Sequence, residues 1–436
     1  GGREIERRGG GTVMRTIVQK FGNGVSGMVR EKPGTAGKLL TAGYRAKRFQ
    51  LKHFPDKRLS PARQYMALQS MEAILAPLLH PERAALVSIF MPCELLQVFG
   101  IHPMFAEAMA CYINGAAAEQ GFVEYAESCG IAETYCSYHK VLLGGILSGV
   151  IPKPRLVVNT SLVCDANNLT FRRAAEHYGI PQQYIDVPYD RTEESVEYVA
   201  GQLRQLAELL EEITARKLDM EALKAAAARS CRTVELFREC QRAKRGKYLD
   251  NDLTSELYEV FGTHVLLGTP EMERYAGMLL RDIQASAPAR GVRLLWMHTI
   301  PYYQEPLRAL LNFSGRCQVV SCDMNFDAFC DRNPERPFES MARRLVLNSF
   351  NGSSENRIRR ALGMCREQEI DGVVYFCHWG CKQTLGAAGN ARAMLEAAGY
   401  PVLILDGDGC HRNNSGNGQM ATRIQAFIEM LEEKKT

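Results

Sequence analysis

The 436 residues read as an α/β protein: two doubly wound, parallel-sheet domains facing a central cleft, with an N-terminal helical layer and a long helical linker. Three features argue for this. The length exceeds what one core holds, at about 100 to 200 residues per domain. Short apolar runs alternate with stretches of helical period, which marks strand–helix–strand units with parallel strands. One such unit also recurs. Pro154 to Asp190 and Ile370 to Asp408 each contain an apolar strand, a polar segment with a cysteine, and a helix of small residues. Each then has a Gly-x-Pro turn, a second apolar strand and an aspartate. Two copies of a strand–helix–strand unit predict flavodoxin-like domains, with Cys164 and Cys381 at equivalent places.

The elements follow in order. Gly1 to Val13, with Arg3, Arg7 and Arg8 between glycines, is set outside the fold argument, and Met14 is a candidate natural start. Residues 14–82 form the helical layer, with a helix over Pro61 to Leu79. The first α/β domain, 83–220, opens with an apolar strand, Ala84 to Phe90, stopped by Pro92. It continues with a strand at Arg155 to Asn159, a helix at Leu169 to Tyr178, a turn at Gly179 to Pro181 and a strand at Gln183 to Val187. Thr192 to Lys247 is nearly all helical in pattern, and residues 221–265 make the linker. The second domain, 266–436, begins with the strand Arg293 to Met297, the helix Glu305 to Asn312 and the strand Cys317 to Ser321. It ends with the strand Gly372 to Phe376, the helix Lys382 to Ala398, the strand Val402 to Leu405 and the helix Met420 to Glu433.

Composition excludes several functional classes. With 53 Lys plus Arg against 49 Asp plus Glu, the net charge of +4 is too small for a dedicated nucleic-acid binder. Val141 to Pro152, the longest nearly uncharged apolar stretch, falls short of the ~20 residues of a membrane helix, so no membrane span is expected. Fourteen cysteines without a secretion signal point to a reducing, cytoplasmic setting, where thiols serve as core residues, nucleophiles or metal ligands. Cys111, Cys129, Cys231, Cys240 and Cys365, in helical or small and apolar surroundings, read as structural.

The strongest chemical signal is Cys136, Cys164 and Cys381, each at a junction leading into a helix. Helix N-terminal amides and dipoles stabilise thiolates, depress their pKa and suit them to soft metals. For each one taken alone, a core thiol is the competing reading. Zinc is disfavoured: Cys377-His378-Trp379-Gly380-Cys381 lacks the second ligand pair that structural zinc takes. Three thiolates on an iron-sulfur cluster leave one iron open to a substrate oxygen, which implies catalysis.

Several stretches together resemble the 2-hydroxyacyl-CoA dehydratase and benzoyl-CoA reductase family. They are Met91-Pro92-Cys93-Glu94-Leu95-Leu96, Cys136-Ser137-Tyr138, Cys164-Asp165, Asp371-Gly372-Val373-Val374-Tyr375 through Cys381, and Asp406-Gly407-Asp408 through Gln419 with Thr422-Arg423-Ile424. The resemblance runs from about Ala84 to Leu431. It implies a lyase with a [4Fe-4S] cluster on Cys136, Cys164 and Cys381, an acyl-CoA substrate, and a homologous second subunit or a second copy of this chain. It further implies a separate ATP-dependent iron-sulfur activator protein that delivers one electron. The acyl-CoA then passes through a ketyl radical, loses its 2-hydroxyl and returns the electron, in an oxygen-sensitive enzyme.

Acid-base help is expected nearby, and Glu94, just after Pro92, and His139, three residues past Cys136, are the candidates. A capping or hydrogen-bonded structural role competes for both. Cys93, Cys322, Cys377 and Cys410 also lie at expected strand ends or loops. They keep open an alternative, a double-cubane [8Fe-9S] cluster reductase of small molecules, which needs about six thiolates. Cys136, Cys164, Cys322 and Cys381 fit that group, whereas Ser88 stands where its early cysteine belongs and Leu345 to Glu355 offers none. A third reading is a non-catalytic electron-relay partner subunit. The segment Gly407 to Gly418 lacks the Gly-Lys-Ser/Thr end of a P-loop, so a nucleotide hydrolase is not expected. Arg172, Arg173 and Lys382 could meet CoA phosphates, with solvated surface charge as the competing reading.

Overall fold

The computed structural model describes residues 16–330, 332–414, 416 and 418–435; Gly1 to Val13, Met14 and two residues of the segment Gly407 to Gly418, Ser415 and Asn417, lie outside them. The chain forms two four-stranded sheets in which every pairing is parallel. The first holds β1 (Ala84–Val87), β2 (His102–Phe105), β3 (Leu156–Thr160) and β4 (Gln182–Ile185) in the order β2-β1-β3-β4. The second holds β5 (Val292–Met297), β6 (Cys317–Cys322), β7 (Gly372–His378) and β8 (Val402–Gly407) in the order β6-β5-β7-β8.

The two orders are the same, as the internal repeat predicts. In each sheet the chain steps outward once, returns to the other side of its first strand, and continues to the far edge. Strand order therefore reverses between β1 and β3 and between β5 and β7, the switch points beyond whose carboxyl ends such sheets bind ligands. The repeated unit is β3, helix Asp165–Tyr178 and β4 in one half, and β7, helix Lys382–Ala397 and β8 in the other.

Alternation along the strands sets the core. On β5, Leu295 and Met297 join one apolar cluster, which extends through the first sheet, while Leu294 and Trp296 join a second. On β7, Val373, Tyr375 and Cys377 face the first and Val374 and Phe376 the second. Both faces of the sheet are covered, which is why its central strands read as nearly unbroken apolar runs. The helical layer is pinned by Arg63. Its buried guanidinium pairs with Glu256 at 2.9 Å and Glu259 at 2.6 Å, offsetting a desolvation cost of several kcal/mol.

Three departures from the sequence reading have physical causes. The helical stretch Thr192 to Lys247 is two helices, Glu193–Thr214 and Met220–Ala243. The break falls where Ala215 turns left-handed (φ +53°) and Asp219 caps the second helix by accepting the Ala222 N–H. The strand β1 ends at Val87 rather than Phe90, because the Ile89 N–H leaves the ladder and donates to the Glu107 carboxylate at 3.1 Å. β2, absent from the sequence reading, contains Pro103 and lies at a sheet edge, where a missing N–H costs no ladder bond. Among the described residues, no helix is long and apolar enough to cross a membrane.

Candidate active site

A cavity of about 510 Å³ opens at the carboxyl ends of the central strands of both sheets. Its walls include Ile89 and Phe90 after β1, Cys164 after β3, His298 and Thr299 after β5, and Gly380 and Cys381 after β7. This is where the two switch points face each other. Cys136 joins from the helix Ser137–Ser148.

Each of the three predicted cysteines is the N-cap residue of its helix: Cys136 of Ser137–Ser148, Cys164 of Asp165–Tyr178 and Cys381 of Lys382–Ala397. None spends its side chain on a capping bond, so all three sulfurs remain available to a ligand. Two come from the first half and one from the second. A close backbone approach joins them, since a Cβ on Gly380 would lie 2.7 Å from the Cys136 backbone nitrogen. With φ at +83° as well, that position needs glycine.

The expectation of depressed thiol pKa values is corrected for Cys136 and Cys164. Burial pushes both thiols up, and the nearby charge of Cys381 adds to the shift at each. The helix N-terminal amides of Tyr138 and His139 pull Cys136 down, but by less than burial raises it. Buried thiols that oppose one another's ionisation become thiolates together only when a cation compensates them, so the donor set fits a metal cluster. Among the described residues no group of three His, Cys, Asp or Glu side chains has the spacing to hold a single metal ion.

Two histidines approach these sulfurs. His378 Nε2 lies 3.2 Å from Cys136 Sγ, and His378 Nδ1 accepts the Gly409 N–H at 3.0 Å. His139 Nε2 lies 3.4 Å from Cys164 Sγ. Burial pushes the His139 pKa down to about 3, so its ring is neutral. Its Nδ1 is buried without a hydrogen-bond partner.

The structure places Glu94 elsewhere. Its carboxylate is buried against Arg344 at 2.9 and 3.3 Å and accepts the Ser230 hydroxyl at 2.8 Å, outside the cavity lining. Of the additional thiols, only Cys322 lines the cavity, with its Sγ 3.2 Å from the His298 carbonyl oxygen. Cys93, Cys377 and Cys410 are buried against the carbonyls of Met91, Thr384 and Ala110.

Glu107 is the functional candidate that sequence reasoning missed. It lines the cavity, one oxygen holds the Ile89 N–H, and the other is buried without a partner. Burial raises its pKa from 4.5 to about 7. The available signal was a single acidic residue inside the apolar run Phe105 to Ile113.

Comparison with known proteins places the chain in a family. The chain is 24% identical over 379 residues to the lactoyl-CoA dehydratase subunit alpha of Anaerotignum propionicum, covering 78% of this chain and 89% of that protein. It is 24% identical over 366 residues to the (R)-phenyllactyl-CoA dehydratase alpha subunit of Clostridium sporogenes, covering 79% and 88%. Over 310 residues it is 24% identical to the (R)-2-hydroxyglutaryl-CoA dehydratase subunit alpha of Acidaminococcus fermentans, covering 65% and 62%. These names are of dehydratases, which are lyases, in accord with the reaction class that the resemblance implies. The family model described as 2-hydroxyglutaryl-CoA dehydratase, D-component, matches residues 88–431. That span is well over half of the 436 residues, and the chain belongs to this dehydratase family.

Proposed function

We propose that this chain is the cluster-bearing subunit of a 2-hydroxyacyl-CoA dehydratase, working with a homologous second subunit and an ATP-dependent iron-sulfur activator. The observation that carries this reading is the convergence of three N-cap cysteines, from both halves, on one apolar cavity. Cys136, Cys164 and Cys381 would hold a [4Fe-4S] cluster, which supplies one-electron chemistry and an open iron when bound.

The protein's own groups supply the rest. The walls, largely apolar, exclude water from the reacting thioester. Departure of a 2-hydroxyl as water needs a proton, and Glu107, with a pKa of about 7 inside the cavity, can hold and release one near neutral pH. His378 directs a hydrogen bond at Cys136 Sγ and so fixes that ligand's position and charge.

The double-cubane reading has one observation in its favour, Cys322 in the same cavity. With Cys111, read from the sequence as structural, that makes five cavity thiols rather than about six, since Cys93, Cys377 and Cys410 are buried elsewhere, and the single cubane is the better fit.

Anaerobic purification followed by iron, acid-labile sulfide and EPR measurements tests this. About four irons per chain with a single-cubane spectrum are expected, together with water loss from 2-hydroxyacyl-CoA thioesters once activator and partner are added. About eight irons would move the assignment to the double-cubane reductase, and stoichiometric zinc without iron would overturn both.

A further inference from the structure

The cavity extends beyond the thiols to an aromatic wall. Phe105 ends the edge strand β2, on the other side of β1 from β3 and Cys164, and Glu107 follows two residues on. The rings of Phe105, Tyr112, Tyr258 and Phe261 line the cavity from β2 and the helices Ala106–Gly115 and Leu253–Thr263. Phe105 meets Phe261 edge-on at 5.1 Å and 72°, Tyr112 meets Phe261 at 6.4 Å and 87°, and Tyr112 meets Tyr258 at 6.3 Å and 36°.

Two of the four rings, Phe105 and Phe261, carry no polar atom. The Tyr112 hydroxyl is engaged with Ser70 Oγ at 2.6 Å, so that ring offers its face and edge rather than a donor. Among the described lining residues the sole lysine or arginine is Lys382, adjacent to Cys381 and therefore at the thiol end. A carboxylate at the far end of an acyl chain would lose its hydration there with no lining Lys or Arg beside the rings to pair with it. A methyl-sized chain would leave the rings without contacts and forfeit their dispersion energy. A further ring could join the edge-to-face cluster in the arrangement aromatic groups prefer.

Resting on the dehydratase reading, we infer that this cavity selects 2-hydroxyacyl-CoA thioesters whose acyl group ends in an aromatic ring. Selection comes from Phe105, Tyr112, Tyr258 and Phe261, which cluster on the β2 side of the cavity.

Unreactive analogues lacking the 2-hydroxyl separate this inference from the reading beneath it. Calorimetric titration of the full, anaerobically purified chain with 3-phenylpropanoyl-CoA, 4-methylpentanoyl-CoA, propanoyl-CoA and glutaryl-CoA is the experiment. The phenyl analogue is expected to bind about tenfold or more tightly than the other three. Tyr258→Leu, with unchanged circular dichroism, is expected to narrow that preference. Equal affinities, or a preference for the branched or the acidic chain, would overturn the aromatic assignment and leave the acyl-CoA reading standing. Binding of none of the four would overturn the acyl-CoA reading itself.

Discussion

The Nε2 of His378 stands 3.2 Å from the Sγ of Cys136, and its Nδ1 accepts the Gly409 N–H at 3.0 Å. A nitrogen that accepts carries no proton, and burial lowers this ring's pKa and keeps it neutral, so the proton is on Nε2 and points at the sulfur. The contact spans the two halves, since His378 ends β7 and Cys136 caps a helix beside the first sheet.

That bond favours the more negative, reduced state of a cluster on Cys136. Replacing His378 with Leu should lower the reduction potential, by ~60 mV for each tenfold by which the bond favours reduction. A redox titration followed by EPR reads it. An unchanged potential would remove the assigned role.

Glu107 should govern the pH dependence of turnover in the assembled enzyme. Its carboxyl titrates at about 7, so Glu107→Gln should flatten the pH–kcat profile between pH 6 and 8 and lower kcat by about 10² to 10⁴. Stability shifts in the opposite sense. The raised pKa means that between pH 4.5 and about 7 the folded chain keeps a proton the unfolded chain has lost, so the wild type loses stability as pH rises through that window. The loss is at most on the order of 3 kcal/mol, and denaturant titrations at pH 5 and pH 8 should show it in the wild type and not in Glu107→Gln.

Glu94 should behave as a structural residue. Glu94→Ala leaves Arg344 buried and unpaired, a loss of about 3 to 5 kcal/mol, with iron content unchanged in the folded fraction. Glu94→Gln with Arg344→Met should recover part of that loss. If Glu94→Ala instead kept full stability and lost only turnover, the structural assignment would fall.

Ligand assignments are separable by iron content. Alanine at Cys136, Cys164 or Cys381 should abolish cluster retention, while alanine at Cys377 or Cys410, whose thiols lie against Thr384 and Ala110, should retain it. Gly380→Ala should also lose iron, because the new methyl would collide with the Cys136 backbone. A normal iron count in Gly380→Ala would mean that the approach of the two halves is not what brings the thiols together.

The strand–helix units were legible because parallel strands buried on both faces leave unbroken apolar runs, and Pro61–Leu79 stands where its helical spacing puts it. The cap positions of the three cysteines were legible too, since each falls between an apolar strand or loop and a helix. Edge strand β2 was not, because Pro103 makes a poor strand signal except at an edge, and edges are defined only by the finished sheet. The helix Leu253–Thr263 falls within the helical linker read over 221–265, whereas Ser354–Glu367, with a readable cap in Ser353, has no counterpart in the sequence reading. Glu107 and the tautomer of His378 depend on what folding places beside them, and no local pattern encodes that. Cys377 and His378, one residue apart on β7, reach a core and a cavity because the strand alternates.

The split of the three thiols between the halves also orders the chain's biogenesis. Cys136 and Cys164 emerge from the ribosome with the first sheet, but Cys381 follows β7, an inner strand that pairs with both β5 and β8. The third sulfur reaches its place only after nearly the whole chain is made and both sheets have closed. A cofactor on these three residues would find its full set of anchors only once the chain has been made past β7. Truncated products that stop before β7 would carry two of its anchors and hold none of it.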